Sequence, residues 1–342
     1  MKKVNNTLNL LKGLACMGVV FIHVNFPGEL GQIVIALSRS AVALFFLISG
    51  YYLYWDDPKE IDEKMPKKLK NIGLITIWAF IFYFLWESFV RLWGSGWQSV
   101  SDWYINDLFT WESLVKFVLL SYDPVVGHLW FLVALLEAYL VFWLINKLRI
   151  ADYSWILAVI LLEVHVVVMT LSTLFSWGLD MTIFRSMWFY GLPFLILGYS
   201  IKRREESINL HIKTLLLVCL AVIGIGATIV ERVFIGDLQI FQGTIIFTLS
   251  IFIIAVRFPG ARYPKSLILL GAKYSSHIYI YHWFVKELFI KLQEILSLDS
   301  SWFDWVEPFG VFIVTLIGVI ALLFVKKLLK KLIGKAANRS KV

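Results

Sequence analysis

The chain has 342 residues, of which 59% are hydrophobic and 16% are charged, and its formal net charge is +8. Soluble domains are roughly 45–50% apolar and about 25% charged, so this composition excludes a soluble globular enzyme and a disordered protein. It indicates a polytopic membrane protein, in which Lys and Arg report topology rather than nucleic-acid binding. Cys16 and Cys219 lie inside apolar runs, so we expect neither a disulfide nor a thiolate metal site.

Ten apolar runs are long enough to cross a bilayer core, which takes about 20 helical residues. The first run lacks a small-x-small cleavage site, so we expect an uncleaved span rather than a signal peptide. The sequence thus predicts an all-α, polytopic bundle of ten transmembrane helices. We expect one integral-membrane domain over 1–342, with a core at 8–328 and a basic cytoplasmic tail at 329–342. The spans are roughly 8–27, 34–55, 71–93, 128–147, 154–174, 183–201, 212–231, 238–256, 266–290 and 307–328.

The positive charges predict the orientation of these spans. If the N-terminus is cytoplasmic, 24 of the 32 Lys and Arg residues fall on the cytoplasmic side, while the longest outer loop, 94–127, is acidic. This alternation holds at every loop and predicts that both termini face the cytoplasm. The basic tail from Lys326 onward then acts as a stop-transfer signal and contacts lipid headgroups. We find no inverted repeat of the kind typical of transporters.

Span 1 carries two ionisable residues, which are costly in a membrane unless they face a cavity or a partner. Lys12 and His23 are eleven residues apart, so a helix places them within about 20° of each other and about 16 Å apart along its axis. One helix face thus presents a cation near the cytoplasm and an imidazole near the outer leaflet. The alternative is that Lys12 snorkels and His23 only caps the outer end of the span.

Span 2 ends in Ser49-Gly50, which permits a close backbone approach, either to another helix, as we favour, or to a ligand. A basic cluster follows at the predicted cytoplasmic mouth. Such a cluster usually reports topology or lipid contact, but it also suits a polyanionic cytosolic ligand such as a nucleotide-phosphate cofactor. Its members are Lys67, Lys68 and Lys70.

Span 4 opens with His128-Leu129-Trp130 and carries Glu137 at mid-span. Trp130 and Glu137 are seven residues apart and share a helix face. His128 and Glu137 are nine apart and point opposite ways, unless His128 precedes the helix. Trp130 is otherwise typical of an interfacial aromatic belt.

Span 9 carries a polar stripe at i, i+4, i+7 and i+11, formed by Ser275, Tyr279, His282 and Lys286. The direction of the span places His282 in the outer half of the membrane, near the predicted depth of His23 and His128. Three imidazoles at one depth are compatible with a metal site. Because no His-x3-His or carboxylate–His pair accompanies them, we expect no metal.

Five segments, in order, resemble the membrane-bound acyltransferase 3 family. The first span, with Lys12 and His23, is similar to a helix that carries a basic residue, usually Arg, followed by a His. The stretch 67–70 stands where the family usually has arginines. The remaining segments are Leu44–Tyr51, like Phe-Phe-x-x-Ser-Gly-Phe/Tyr, His128–Leu132, like His-Leu-Trp-Phe/Tyr-Leu, and Tyr274–His282, like Ser-x-x-Ile-Tyr-x-x-His.

This resemblance implies a multi-pass protein of the bacterial plasma membrane with ten core helices. It also implies transfer of an acyl group from cytosolic acyl-CoA to a hydroxyl of an extracytoplasmic glycan. Acetyl is the group that the family transfers most often, so we expect acetyl-CoA as the donor and an O-acetylated surface polysaccharide as the product. Capsule, peptidoglycan, teichoic acid, lipopolysaccharide and small-molecule acceptors all stay open, as does homo-oligomer formation.

The roles that follow from this hypothesis divide between a proton-transfer end and a donor end. We expect His23 to be the general base on the acceptor hydroxyl, because the near-neutral pKa of an ordinary histidine suits proton abstraction. Glu137 would orient an imidazole or share the proton, and His128 is a further catalytic candidate. Tyr279, His282 and Trp130 would bind the acceptor.

At the donor end, the cations would hold the CoA phosphates, although lysine lacks the bidentate fork of arginine. Ser49 and Gly50 would let the donor pass close to the backbone. The cations are Lys12, Lys67, Lys68 and Lys70.

Two other functions compete with this one. A transporter or flippase of a glycan or lipid-linked intermediate would use the same buried Glu and His groups for proton-coupled movement. A scaffold or sensor subunit of a polysaccharide-assembly complex would tolerate substitution of Lys12 and His23.

Overall fold

The computed structural model describes residues 4–297 and 300–339, and within them the chain is helical with no β-strand. The helices alternate with short turns and follow the apolar runs of the sequence. In chain order they are α1 (Asn6–His23), α2 (Gly28–Ser38), α3 (Ser40–Tyr51), α4 (Pro58–Trp103), α5 (Trp111–Leu120), α6 (Trp130–Lys147), α7 (Ser154–Leu174), α8 (Met181–Phe184), α9 (Leu192–Arg203), α10 (Glu205–His211), α11 (Thr214–Phe234), α12 (Gln242–Arg257), α13 (Lys265–Leu269), α14 (Ser275–Leu296) and α15 (Ser300–Arg339).

The described residues also contain three π-helical turns, each built into or against an α-helix. They cover Tyr104–Leu108 after α4, Met187–Gly191 before α9, and Leu270–Tyr274 between α13 and α14. A π-turn inserts one extra residue into the helical ladder, so it changes which side chains face which way along a continuous helix.

The chain forms two compact units. The first consists of the described parts of Met1–Ala41 and Pro259–Val342, and the second of Val42–Phe258. Each unit is described by itself below.

Helical segments occur at all ten predicted spans. The prediction of an all-α fold with several helices able to span a membrane is confirmed. Among the described residues, six stretches are long and apolar enough to cross a membrane by length and composition. The other predicted spans coincide with helices that are shorter, more polar or broken by a π-turn. The count of ten and the orientation of the termini stay predictions. The six stretches are Gly28–Tyr51, Pro58–Leu108, Trp130–Lys147, Ser154–Leu174, Thr214–Phe234 and Ser301–Leu332.

The predicted outer loop 94–127 is largely helical. The α4 helix begins with Pro58 behind an Asp57 N-cap, whose side chain accepts the Lys59 N–H. It continues past the third predicted span to Trp103 and is kinked at Gly96, where φ is +76° and ψ is −177°. Only glycine adopts that conformation readily, so Gly96 redirects the last turns of the helix.

In the first unit, α1 packs closely against the π-turn at Leu270–Tyr274. A Cβ built on Gly271 would lie 1.7 Å from the Asn9 carbonyl oxygen, and one on Gly13 would lie 3.3 Å from the Gly271 nitrogen. Two glycines therefore allow the backbones to meet directly, which is a common way for membrane helices to associate.

In the second unit, α3 and α9 make a reciprocal close contact. A Cβ on Gly50 would lie 1.8 Å from the Leu195 carbonyl oxygen, and one on Gly198 would lie 2.0 Å from the Leu47 carbonyl oxygen. The close approach at Gly50 is therefore to another helix, as the helix-packing interpretation of Ser49-Gly50 expected.

Candidate functional site

The first unit brings His23 and His282 together. Their imidazole centroids lie 5.3 Å apart with 34° between the ring planes, and the Trp283 ring meets His23 edge-on at 5.5 Å. His23 is the last residue of α1 and is half-buried, whereas His282 is fully buried on α14. Two residues predicted to lie at one depth therefore form an imidazole pair.

The backbone of α14 holds His282 in one tautomer. Its Nδ1 is 2.7 Å from the Tyr279 carbonyl oxygen and 3.2 Å from that of Ile278. A carbonyl only accepts, so Nδ1 carries the hydrogen and donates it, and in the neutral ring Nε2 is the basic nitrogen. His282 thus presents an acceptor nitrogen while its ring orientation is fixed.

The polar stripe predicted for span 9 lies on α14. Ser275 and Tyr279 are buried, and Ser275 donates to the Gly271 carbonyl oxygen at 2.7 Å. One turn beyond His282, the Lys286 ammonium lies 4.3 Å from the Trp283 ring centroid and interacts electrostatically with Glu307. A cation, Lys286, and the Trp283 ring therefore lie beside the histidine pair.

Lys12 lies on α1, as predicted, eleven residues before His23 on the same helix. It is half-buried and one turn from Cys16, whose thiol donates to the Gly13 carbonyl oxygen. The first unit therefore places one cation and one imidazole on a single rigid element.

In the second unit, the basic cluster lies on α4, and its three members differ. Lys67 and Lys70 are exposed, whereas Lys68 is half-buried with its Nζ 5.9 Å from the Tyr139 ring centroid. The Tyr139 phenol is hydrogen-bonded to the Ser49 hydroxyl, which also donates to the Phe45 carbonyl oxygen at 2.7 Å. Lys68 and Ser49 are thus connected through Tyr139, a residue that the sequence analysis missed.

Glu137 has a specific hydroxyl partner. Ser121, fully buried at the end of α5, donates to Glu137 Oε2 at 2.5 Å and accepts the Met187 N–H at 2.9 Å. Ser121 adopts the left-handed conformation, with φ of +54°, as it ends α5. It thereby joins α6 to the π-turn at Met187–Gly191.

His128 precedes α6, which begins at Trp130, so it is not bound to the face opposite Glu137. The segment that carries it is held by Asp123, whose carboxylate accepts the N–H groups of Val125, Val126 and Leu129. His128 is buried and its ring lies edge-on to Tyr83 at 5.0 Å. Burial raises the pKa of the Asp123 carboxyl, and the backbone N–H bonds oppose that shift.

Trp130 belongs to an aromatic cluster rather than standing alone at the interface. Its ring lies 6.5 Å from Phe46 and 5.8 Å from Tyr190, and the Arg185 guanidinium lies 5.7 Å from it. Phe46 also meets Phe131 at 4.7 Å. The Leu44–Tyr51 segment and the His128–Leu132 segment therefore pack on each other.

The five recognised segments fall into two groups within the units. The first and fifth meet through the histidine pair, and the Gly13–Gly271 contact lies just before the fifth segment. The second, third and fourth belong to the second unit and meet through Phe46 and Tyr139. Tyr139, Ser121 and Asp123 lie in apolar or loop sequence, where only their tertiary contacts distinguish them.

Over residues 4–297 and 300–339, no three His, Cys, Asp or Glu side chains are grouped as metal ligands would be. A family model described as an acyltransferase domain matches residues 5–324, nearly the whole chain. No curated protein and no solved structure shows a significant match.

Proposed function

Because the chain belongs to the acyltransferase 3 family, as the match over residues 5–324 shows, we propose that it O-acetylates a glycan outside the membrane. The family membership confirms the resemblance drawn from the five segments. The protein is an acyltransferase with apolar helices that suit a membrane. The acetyl-CoA donor, the glycan acceptor and the bacterial plasma membrane are the parts that we propose.

The observation that carries the proposal is the arrangement along α1. His23 meets His282 at one end of the helix, and Lys12 lies eleven residues toward the other end. On a helix that separation is about 16 Å, which is comparable to the reach of an extended pantetheine arm. One rigid element thus offers an imidazole for proton transfer and a cation for the charged end of the donor.

In the proposed reaction, His23 removes the proton of the acceptor hydroxyl as the hydroxyl oxygen attacks the thioester carbonyl. The C–S bond then breaks, and the CoA thiolate leaves and takes the proton from the imidazolium. The glycan keeps the acetyl group as an ester. His282, with Nε2 as its basic nitrogen, lies next to His23 and can share this proton.

On the donor side, we propose that the α4 cations bind the CoA phosphates. Lys68 fits this role because its ammonium lies near the Tyr139 ring, whose phenol is hydrogen-bonded to Ser49, whereas the exposed Lys67 and Lys70 add charge around it. Gly50 contributes by letting α3 lie against α9, which positions Ser49. Phosphates interact favourably with such a set of cationic and hydroxyl groups.

The remaining residues keep their proposed roles. Glu137, held by Ser121, shares proton load, and His128 is a further catalytic candidate on a segment fixed by Asp123. Trp130 and Tyr279 contribute aromatic surface for the acceptor sugar.

The test compares wild-type protein with His23→Ala and with His211→Ala, reconstituted in lipid. His211 is an exposed histidine on α10, so it is a matched control. With labelled acetyl-CoA and surface glycan from cells that lack the protein, we expect His23→Ala to lower the transfer rate by about 10²–10⁴-fold. Acetyl-CoA should still raise the melting temperature of that variant, and His211→Ala should match the wild type.

Wild-type transfer by His23→Ala would refute the proposed base. Movement of glycan across the lipid without any donor dependence would instead favour the transporter.

A further inference from the structure

The second unit contains a polar cleft that the proposed reaction does not yet use. It encloses about 570 Å³ and is lined by the outer end of α4, the π-turn that follows it, α5, the 122–125 segment and the start of α8. A second polar cavity of about 430 Å³ continues it and shares Arg91, Trp103, Asn106 and Asp107. Small-molecule sites typically enclose 300–1,000 Å³, so the combined cleft has room for more than one sugar ring.

The lining is rich in groups that hydrogen-bond hydroxyls. Asn106, Thr110, Tyr122 and Thr182 contribute an amide and three hydroxyls. The half-buried Tyr122 adds a ring next to those polar groups. An aromatic ring beside convergent polar side chains suits the alternating apolar and hydroxylated faces of a saccharide.

The charges in the cleft are mostly neutralised by one another. Lys116 pairs with Glu112 at 2.8 Å and with Asp180 at 3.3 Å. The Thr182 N–H and then Lys116 lower the pKa of Asp180, so that carboxylate stays ionised. The ammonium of Lys116 is therefore shared between Glu112 and Asp180, and little of its positive charge is free for an anionic ligand.

The other cation is engaged as well. Arg91 lies 3.8 Å from Glu87 and its guanidinium stacks 4.6 Å from the Trp103 ring. Asp107, by contrast, is exposed, and among the described residues its carboxylate has no cationic partner. The lining of the larger cavity has three acidic and two basic side chains, so the excess charge is negative.

The segment that lines the cleft also contains or contacts residues of the proposed reaction. Tyr122, Pro124 and Val125 line it and flank Asp123, whose carboxylate holds the segment that carries His128. Ser121, the neighbour of Tyr122, binds Glu137. The topology prediction places the loops 94–127 and 175–182, which form the cleft, on the outer side.

We propose that this cleft binds the acceptor glycan, and that it selects oligosaccharides that are neutral or carry amino groups over those that carry carboxylates or phosphates. The inference rests on the proposed function and specifies its substrate class. The negative excess and the exposed Asp107 repel an anionic chain, whereas hydroxyls and ammonium groups find acceptors there.

The test measures saccharide binding directly, without turnover. Wild-type protein in nanodiscs is titrated with chitotetraose, with its fully deacetylated form and with tetragalacturonate, and saturation-transfer NMR reports the dissociation constants. We expect the neutral and amino tetramers to bind at least about tenfold more tightly than the uronate, which is about 1.4 kcal/mol.

The variant Asn106→Ala/Asp107→Ala should weaken binding of the first two tetramers by about tenfold. Both side chains are exposed and make no hydrogen bond within the described residues, so the change should leave folding intact. The matched control is Gln293→Ala/Glu294→Ala at the end of α14, for which we expect wild-type binding.

Three outcomes would overturn the inference: no tetramer binds, the cleft variant binds as the wild type does, or tetragalacturonate binds best. These outcomes are distinguishable from failure of the acetyl-transfer proposal. In the latter case acetyl-CoA would not raise the melting temperature of the wild type, a measurement that the cleft variant should leave unchanged.

Discussion

Ser121 and Asp123 show how single buried side chains organise the approach to α6. Ser121 ties Glu137 to the Met187 backbone, and Asp123 accepts three backbone N–H groups from the loop before the helix. Leu129 is the N-cap residue of α6, and the Asp123 carboxylate accepts its backbone N–H, as a Glu at the third helical position does in a capping box. The position of His128 therefore depends on a residue five positions earlier.

We predict that Asp123→Asn destabilises the protein by ~1–3 kcal/mol. The Asn oxygen can accept the Val125 and Val126 N–H groups, but its NH₂ group would then face the Leu129 N–H, leaving two buried donors opposed. Thermal unfolding in lipid nanodiscs measures the loss. Asp102→Asn, at an exposed position whose carboxylate accepts a hydrogen bond from the Gln98 amide, should change the stability far less. Equal melting temperatures for Asp123→Asn and the wild type would contradict this role of Asp123.

Sequence reasoning at this scale identified the charged groups but not their partners. The sequence does not distinguish the three lysines at 67, 68 and 70 from one another. Only Lys68 points toward Tyr139, because its orientation depends on how α4 packs on α6. Tyr139 looks like any aromatic residue in an apolar span. Its polar role comes from the hydroxyl of Ser49 on a separate helix, and no local pattern encodes that contact.

The helix crossings position the catalytic candidates. The Gly13–Gly271 contact brings the start of α14 against α1, and two turns further along α14 His282 meets His23. A contact of backbone on backbone tolerates no added atom, because protein interiors are close-packed.

Gly271→Ala should therefore separate α1 from α14. Its new methyl group would lie 1.7 Å from the Asn9 carbonyl oxygen, so the backbones must shift, at a cost of about 1–3 kcal/mol or more. We expect a lower melting temperature and a slower acetyl transfer, because His282 moves away from His23. Gly318→Ala on α15 is the control, since a Cβ there has no neighbour within 4 Å and alanine favours the helix. Similar losses in the two variants would argue against the crossing.

Sequence reasoning predicted the positions of the helices better than it predicted any other feature. The apolar runs located the helices, and the polar period predicted the α14 stripe, because burial of a helix face leaves a direct periodic signal. The exceptions have local causes. The kink of α4 arises from one glycine, and helical structure in 94–127 is amphipathic and short, so it lacks the apolar length of a span.

The whole molecule is best tested through its topology, which charge alone predicts. In a background where Cys16 and Cys219 are replaced, we expect Asn25→Cys and Ser99→Cys to react with a membrane-impermeant maleimide in intact cells. Ser207→Cys on α10 should react only after the membrane is opened. Labelling of Ser207→Cys in intact cells would contradict the predicted orientation. Failure of Asn25→Cys to react would show that α1 does not end at the outer surface.

The three π-helical turns set which side chains of the following helix face the proposed sites. One contains Gly271 and precedes the His282 stripe, one carries Tyr190 against Trp130, and one carries Asn106 and Asp107 into the cleft. Each α-helical residue advances about 100° around its axis, so one inserted residue rotates everything beyond it by roughly a quarter turn. In this chain a single deletion at such a turn should rotate the proposed site residues beyond it away from their present neighbours. We therefore expect insertions and deletions at these turns to impair the protein more than substitutions do.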